Sequence, residues 1–266
     1  NYKQGFRSFD TNLLLQNVDG DGKYFDSLLI TNSGWGSDPQ GFTRVNMEKT
    51  GFYKFNGNVR RVTYFNNLFN FANPLPFPRA NSEHSMHTDH TFGDFDFTIA
   101  PQSERLRVTM GGSFNHTDGD GTTTTRFFSD EFPVNSKIKT NSRDFRIAAE
   151  GKLAGFDWGL SQGYREFKDR SDYFLLAPDQ GNNPANSSSS RLDTFSRKFP
   201  TIGHANYTQF NVHRLFANKF DFTGRIIYTK TNTNSSLSES MTGRDNASTG
   251  ILVVSDVIEE TAKASR

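Results

Sequence analysis

The chain has no cysteine, which excludes disulfide scaffolds, thiolate metal centres and cysteine nucleophiles. It is also short of apolar residues, at 33% of 266, low for a protein that must fill a deep core. No run approaches the ~18 uninterrupted apolar residues of a membrane-spanning helix, so a helical membrane protein is excluded. An excess of charge is missing too, with 30 basic residues against 29 acidic ones. Nothing electrostatic directs the chain to nucleic acid or to an anionic surface. No G-x-S-x-G, H-E-x-x-H or phosphate-cradling glycine loop occurs, and the chain reads as a non-enzyme. C-x-x-C-H is absent as well, so this chain cannot itself hold c-type haem covalently. No leader peptide is visible, and the chain starts at Asn1 rather than Met.

What is present is phenylalanine, 27 residues of it, in segments that alternate apolar with polar. Phe95, Phe97 and Ile99 alternate with Asp94, Asp96 and Thr98, and Val108, Met110 and Phe114 alternate with Arg105, Arg107 and Thr109. Only an extended strand turns a period of two into two distinct faces. Residues 101–104 between these arms are too few for anything but a reversal, so 91–116 forms an antiparallel hairpin. Phe145, Ile147, Ala149 and Leu153 then face Phe156, Trp158, Leu160 and Tyr164 across a turn at Ala154-Gly155. Phe210, Val212 and Phe216 return through Phe220, Phe222, Ile226 and Tyr228. Earlier strands are expected at 5–17, 23–31, 43–48 and 53–60, and a short one at 251–254. Tight reversals fall near 20, 50, 102, 155 and 218. Between them, loops rich in Asn, Ser, Thr, Gly and Pro are expected at 32–40, 66–89, 117–140 and 231–249, with roughly forty residues of loop following Arg165. The second of these contains Pro74, Pro76 and Pro78, which cannot donate to a ladder.

Short and long connections therefore alternate, with short turns on one rim and long loops on the other. This is the signature of an antiparallel, up-and-down transmembrane β-barrel, apolar outside and polar within. Residues 1–266 are expected to form a single barrel domain or an amino-terminal fragment, an incomplete portion of a larger barrel, since the strongly aromatic final strand common in such barrels is missing. The bilayer of the bacterial outer membrane becomes the expected location and partner. Asp94, Asp96, Arg105, Arg107, Arg146, Glu150, Lys152, Arg165, Asp221 and Arg225 are the lumen-facing candidates. Phe114, Phe145, Phe156, Trp158, Tyr164, Phe216, Phe220 and Tyr228 are the candidates for aromatic girdles at the membrane interfaces.

Three other patterns carry less. Residues 17–22 match half of a calcium loop but place Leu28 where a bidentate Glu belongs, and 116–121 place Phe127 there. Both read as turns or loop tips, because Asp-Gly is common turn chemistry. His84, His87 and His90, beside Glu83 and Asp89, read as a solvated loop running into strand rather than a zinc site. His116 and Asp118 would lie near the outer rim, where barrel hydrolases place catalytic groups, but Asp near His in a polar loop arises readily by chance. No catalytic, metal or cofactor-binding residue is assigned.

Gly34-Trp35-Gly36-Ser37-Asp38-Pro39, then Thr50-Gly51-Phe52-Tyr53-Lys54-Phe55 and Val62-Thr63-Tyr64-Phe65, run as strand, glycine-rich loop, return strand and aromatic exit. In this the first hundred or so residues resemble the MtrB/PioB-type outer-membrane barrels. The resemblance implies a large barrel that sheathes a multihaem c-type cytochrome and so supports electron transfer across the outer membrane, the haem belonging to the partner. The alternatives are a diffusion or substrate-specific porin, a TonB-dependent receptor barrel with a transport role, and a soluble adhesin-like β protein. Several family members carry an amino-terminal C-x-x-C that this chain lacks, and no functional residue transfers one by one.

Overall fold

Extended backbone dominates because Phe, Tyr, Val, Ile and Thr, favoured on pleated surfaces, fill the alternating segments. The computed structural model describes residues 10–17, 22–36, 38–68, 84–128, 130–181, 190–217, 219–245 and 252–265. Among these lie fourteen strands and no helix. They are β1 (Thr11–Gln16), β2 (Ser27–Ser33), β3 (Gln40–Lys49), β4 (Tyr53–Leu68), β5 (His84–Ile99), β6 (Arg107–Phe127) and β7 (Asp130–Leu153). Then come β8 (Phe156–Asp169), β9 (Asp172–Phe174), β10 (Asp179–Gln180), β11 (Arg191–Lys198), β12 (Thr201–Phe216), β13 (Phe220–Asp245) and β14 (Leu252–Ser265). Every pairing is antiparallel, and the sheet runs up and down from β1 through β8 to β12 and β13. Among the described residues β1 pairs only with β2, and β14 only with β13, so no ladder joins the two ends.

The turns at one rim, called near here, are tight. Gly51 has φ 77°, and Ala154 and Gly155 have φ 50° and 79°. Two successive positive φ values give a two-residue turn whose twist matches that of the flanking strands. Ala100 and Ala217 also adopt the left-handed region, with φ 51° and 50°. The first hairpin turns later than its alternation indicates: β6 begins at Arg107, and Arg105 sits in the exposed connection, its carbonyl packed against Gly151.

At the far rim the expected loops give way to strand. Residues 117–140 continue the β6–β7 ladder to Phe127 and Asp130, and Thr122 to Thr125 pair with Asn135 to Phe132. Threonine is β-branched and suits a ladder, but a segment polar on both faces shows no hydropathic period, so it reads as loop. By the same logic β13 runs on to Asp245, and β5 starts at His84. Pro74, Pro76 and Pro78 lie outside the described residues, as do Asp19, Asp21 and residues 182–189. The loop of roughly forty residues expected after Arg165 holds three short strands. β9 and β11 stand between β7 and β13 above the ends of β8 and β12. The sheet thus stays continuous past the break at Phe199-Pro200, where proline removes a donor.

The buried apolar cluster is small and lies at this far rim: Phe127, Phe132, Val134, Leu192 and Phe195, with Tyr173, Leu175 and Met241 against it. Parity along the ladders places these five on the same face as Arg146 and Arg225. A Cβ on Gly243 of β13 would stand 2.6 Å from the Phe127 ring of β6. Strands far apart in sheet order therefore meet over the polar face, which makes that face concave. Asp130, fully buried, accepts the Ser190 N–H at 2.8 Å and ties this cap to the β10–β11 segment.

Among the described residues nothing packs over the opposite face. Phe145, Ile147, Ile226 and Phe220 are 54%, 49%, 66% and 72% exposed. If the cap is an independent core, Phe132→Ala should remove about 3 kcal/mol of local stability. Hydrogen exchange should then quicken in β9 and β11 while the β7–β8 and β12–β13 ladders keep their protection.

Candidate functional site

Register brings one side chain from each strand into rows across the concave face. Asp96, Gly111, Arg146, Gly163 and Tyr207 form one row. Asp94, Ser113, Asp144, Arg165 and Ala205 form the next. The glycines are what let the long side chains meet. Arg146 Nη2 reaches across Gly111 to donate to Asp96 Oδ1 at 2.6 Å, where a Gly111 Cβ would come within 2.3 Å of that oxygen. The Tyr207 ring lies over Gly163, where a Cβ would be 1.9 Å from Cζ. Its hydroxyl donates to Asp144 Oδ1 at 2.9 Å, and Arg165 Nε donates to Oδ2 at 2.9 Å.

Nearer the tight turns the same face carries Arg107 with Glu150 at 2.8 Å and Lys152 with Glu104 at 3.2 Å. His213 lies 2.8 Å from Asp221 and 3.6 Å from Asp157. Arg225 donates to Gln209 at 3.3 Å, and Asp94 accepts from Asn58 at 3.4 Å. A cleft of about 300 Å³ opens among these groups, lined by Arg107, Glu150, Lys152, Asp157 and His213. Of the ten lumen-facing candidates, nine stand on this one face, and Arg105 is the exception. The exposed pairs each contribute at most about 1 kcal/mol, because water screens them and ordering two long side chains costs entropy. Asp144 differs, being buried with two donors aimed at it.

The aromatic candidates lie on the other face in two lines. Phe156 and Phe216 meet edge to face at 6.0 Å near the tight turns, with Phe220 and Trp158 close by. Phe114, Phe145, Tyr164 and Tyr228 lie at the upper end of the apolar face, where Phe114 covers Gly93 and Tyr164 stacks on His204 at 6.2 Å. Beside the first of these lines Arg214 occupies the apolar face, its guanidinium 4.6 Å from both the Phe156 and Phe216 ring centroids, donating to Ala154 O at 3.0 Å. Counting by twos from Phe210 reaches Arg214, so its sequence signal was parity alone. Tyr207 and Gly163 gave none, because cross-strand register is invisible in a single segment.

The histidines do not converge. All three lie in β5, not in a loop, and a spacing of three along a strand puts His87 on the face opposite His84 and His90. The His84 side chain is outside the described set. His87 meets the Phe65 ring at 6.1 Å, and His90 shares hydrogen bonds with the Thr88 and Thr117 hydroxyls at 2.9 and 3.0 Å. Residues 116–121 are likewise ladder rather than a loop tip; the His116 ring bonds Asn141 at 2.7 Å. Among the described residues no group of three His, Asp or Glu side chains could hold a metal.

No family model matches the chain, and no curated protein matches it either.

Replacing Asp144 with Ala strands both Arg165 and Tyr207, and should cost about 1–3 kcal/mol. Equilibrium unfolding in detergent measures it. Asp94→Ala, which removes a single long hydrogen bond, should fall below about 1 kcal/mol.

Proposed function

We propose that this chain is all or part of an outer-membrane β-barrel whose concave, charged face lines a passage or sheath. The observation that carries the reading is the uncovered apolar face opposite it. On β7, β8 and β13 that face spans 145–153, 156–164 and 220–228. Nine residues rise about 26 Å along a strand, and about 20 Å along the normal once the strands tilt by ~40°. Strands that cross a bilayer use about 9–11 residues. Water would penalise so much contiguous exposed Phe, Ile and Leu, whereas lipid tails accept it. On these three spans charges are confined to the concave side, while just outside them the apolar side carries Lys49 in the row of Ala149, Lys230 in the row of Phe145 and Tyr164, and Arg214 at the near edge. There its stem can lie along the hydrocarbon while its head meets headgroups beside two aromatic rings.

The tips of β6, β7, β11 and β13 continue beyond the apolar band and would stand clear of the membrane, with the small cap at their ends. Closure into a full barrel belongs to this proposal, since an open sheet edge cannot be left in hydrocarbon. The resemblance to cytochrome-sheathing barrels suggests one use, enclosing a multihaem partner. A porin-like or receptor passage is the other.

Only two tryptophans are present. Trp35 bonds Phe42 O and Thr43 Oγ1 away from the apolar band, and Trp158 lies within it. In Trp35→Phe protein refolded into liposomes, brominated acyl chains should quench most of the remaining emission and acrylamide little of it. A chain that stays dispersed without detergent and is quenched from water overturns the reading. Reduced-minus-oxidised spectra of the complex drawn from native membranes then separate a haem sheath from a passage that conducts in planar bilayers without haem.

A further inference from the structure

The arginines of the concave face differ in what they hold, and Arg225 meets the Gln209 amide. Arg107, Arg146 and Arg165 each hold a carboxylate at 2.6–2.9 Å. Among the described residues Arg44 of β3 and Arg60 of β4 hold none, and neither guanidinium makes any other hydrogen bond. Both are exposed. Register places Arg60 between two phenylalanines on the same face, with Phe42 opposite on β3 and Phe92 opposite on β5. Arg44 is the diagonal neighbour of Arg60, about 7–8 Å away between backbones. An open groove of about 620 Å³ runs over this patch, lined also by Ser33 and Gln40. The nearest acid along the row, Asp94, is separated from Arg44 by Asn58, which binds it.

Two idle guanidinium groups cost nothing while solvated, but their geometry is selective. The planar fork accepts a carboxylate through two parallel hydrogen bonds, and its face stacks on aromatic rings. Rings on either side of Arg60 add an apolar wall that a simple inorganic anion cannot use. We infer that Arg44 and Arg60, with Phe42 and Phe92, form a binding subsite for a small carboxylate carrying an aromatic body. One carboxylate oxygen pair would meet Arg60, Arg44 would supply long-range attraction, and the ring would lie against Phe42 or Phe92. In a passage such a site would concentrate aromatic acids ahead of the neutralised stretch of Arg146–Asp96 and Arg165–Asp144. That use rests on the proposed function, but binding itself does not.

The test uses the full chain in detergent, with 4-fluorobenzoate followed by fluorine NMR. Saturable binding should weaken about tenfold or more in Arg60→Gln, the loss expected for a charge-assisted bidentate contact. Phe42→Ala should weaken it less, and Arg105→Gln, in the exposed turn, should leave it unchanged. Inorganic phosphate should compete poorly. Absence of saturable binding, equal losses in Arg60→Gln and Arg105→Gln, or phosphate competing as well as benzoate would each overturn the assignment. Because the readout needs no bilayer, failure here is distinct from failure of the tryptophan quenching that tests membrane insertion.

Discussion

Everything in this molecule depends on an unslipped antiparallel register. From β2 through β8 to β12 and β13 each ladder advances residue for residue, and the one shift falls between Leu192 and Thr194 on a peripheral strand. A single slip in β7 would turn Asp144, Arg146 and Glu150 to the apolar side and Phe145 and Ile147 to the charged one. The two faces differ so much that the register is chosen by side chains as well as by turns. Left-handed Ala100, Ala154 and Ala217 show the turns bending to that choice. Alanine disfavours this region by about 1–2 kcal/mol, and the ladders on either side must supply the difference.

Glycine sets how the rows pack. Gly93, Gly112, Gly163, Gly203 and Gly243 each lie beneath a ring, respectively of Phe114, Phe95, Tyr207, Phe167 and Phe127. A ring over a glycine recovers the packing that the missing side chain forfeits, and it does so on both faces of the sheet. On the concave face the same absence allows charge to cross a strand. Arg146 and Asp96 sit two strands apart and touch only because Gly111 intervenes. Glycine here thus couples non-adjacent strands rather than loosening the sheet.

Much of this could be read from residue order. The hairpins at 93–114, 144–164 and 210–228, their two faces and the side on which nine of ten charged candidates stand follow from parity, because the strand period is an integer and does not drift. Three things could not be read. The ends of strands were hidden wherever both faces are polar, as at Thr122 to Thr125, since alternation needs contrast. Partners across the sheet were hidden because Tyr207 and Asp144 are 63 positions apart. The small cap was hidden because Phe127, Phe132 and Val134 sit among Thr, Asp and Ser, and their burial comes from strands that arrive more than fifty residues later. His84, His87 and His90 mark the opposite error, for proximity in sequence does not become proximity in space when a strand throws odd spacings to opposite sides.

The distribution of charge along the concave face has a physical direction. Toward its middle Arg107, Arg146 and Arg165 are each neutralised by a carboxylate within hydrogen-bonding distance, and Asp144 is buried under two donors. Such a stretch presents little net field to a solute. At the β3–β4 side the field is unbalanced, because Arg44 and Arg60 lack partners while Asp94 is engaged by Asn58. Salt at ~0.1 M screens an exposed charge beyond about 10 Å, so the unpaired arginines act locally, on what lies in their groove. A face arranged this way is uneven rather than uniformly polar, unbalanced in positive charge at one side and near-neutral beyond it. The apolar rings that flank Arg60 make the same point from the other direction. A surface that need only be wet has little use for a phenylalanine on each side of an idle cation, whereas the amphiphilic anion proposed above would use both.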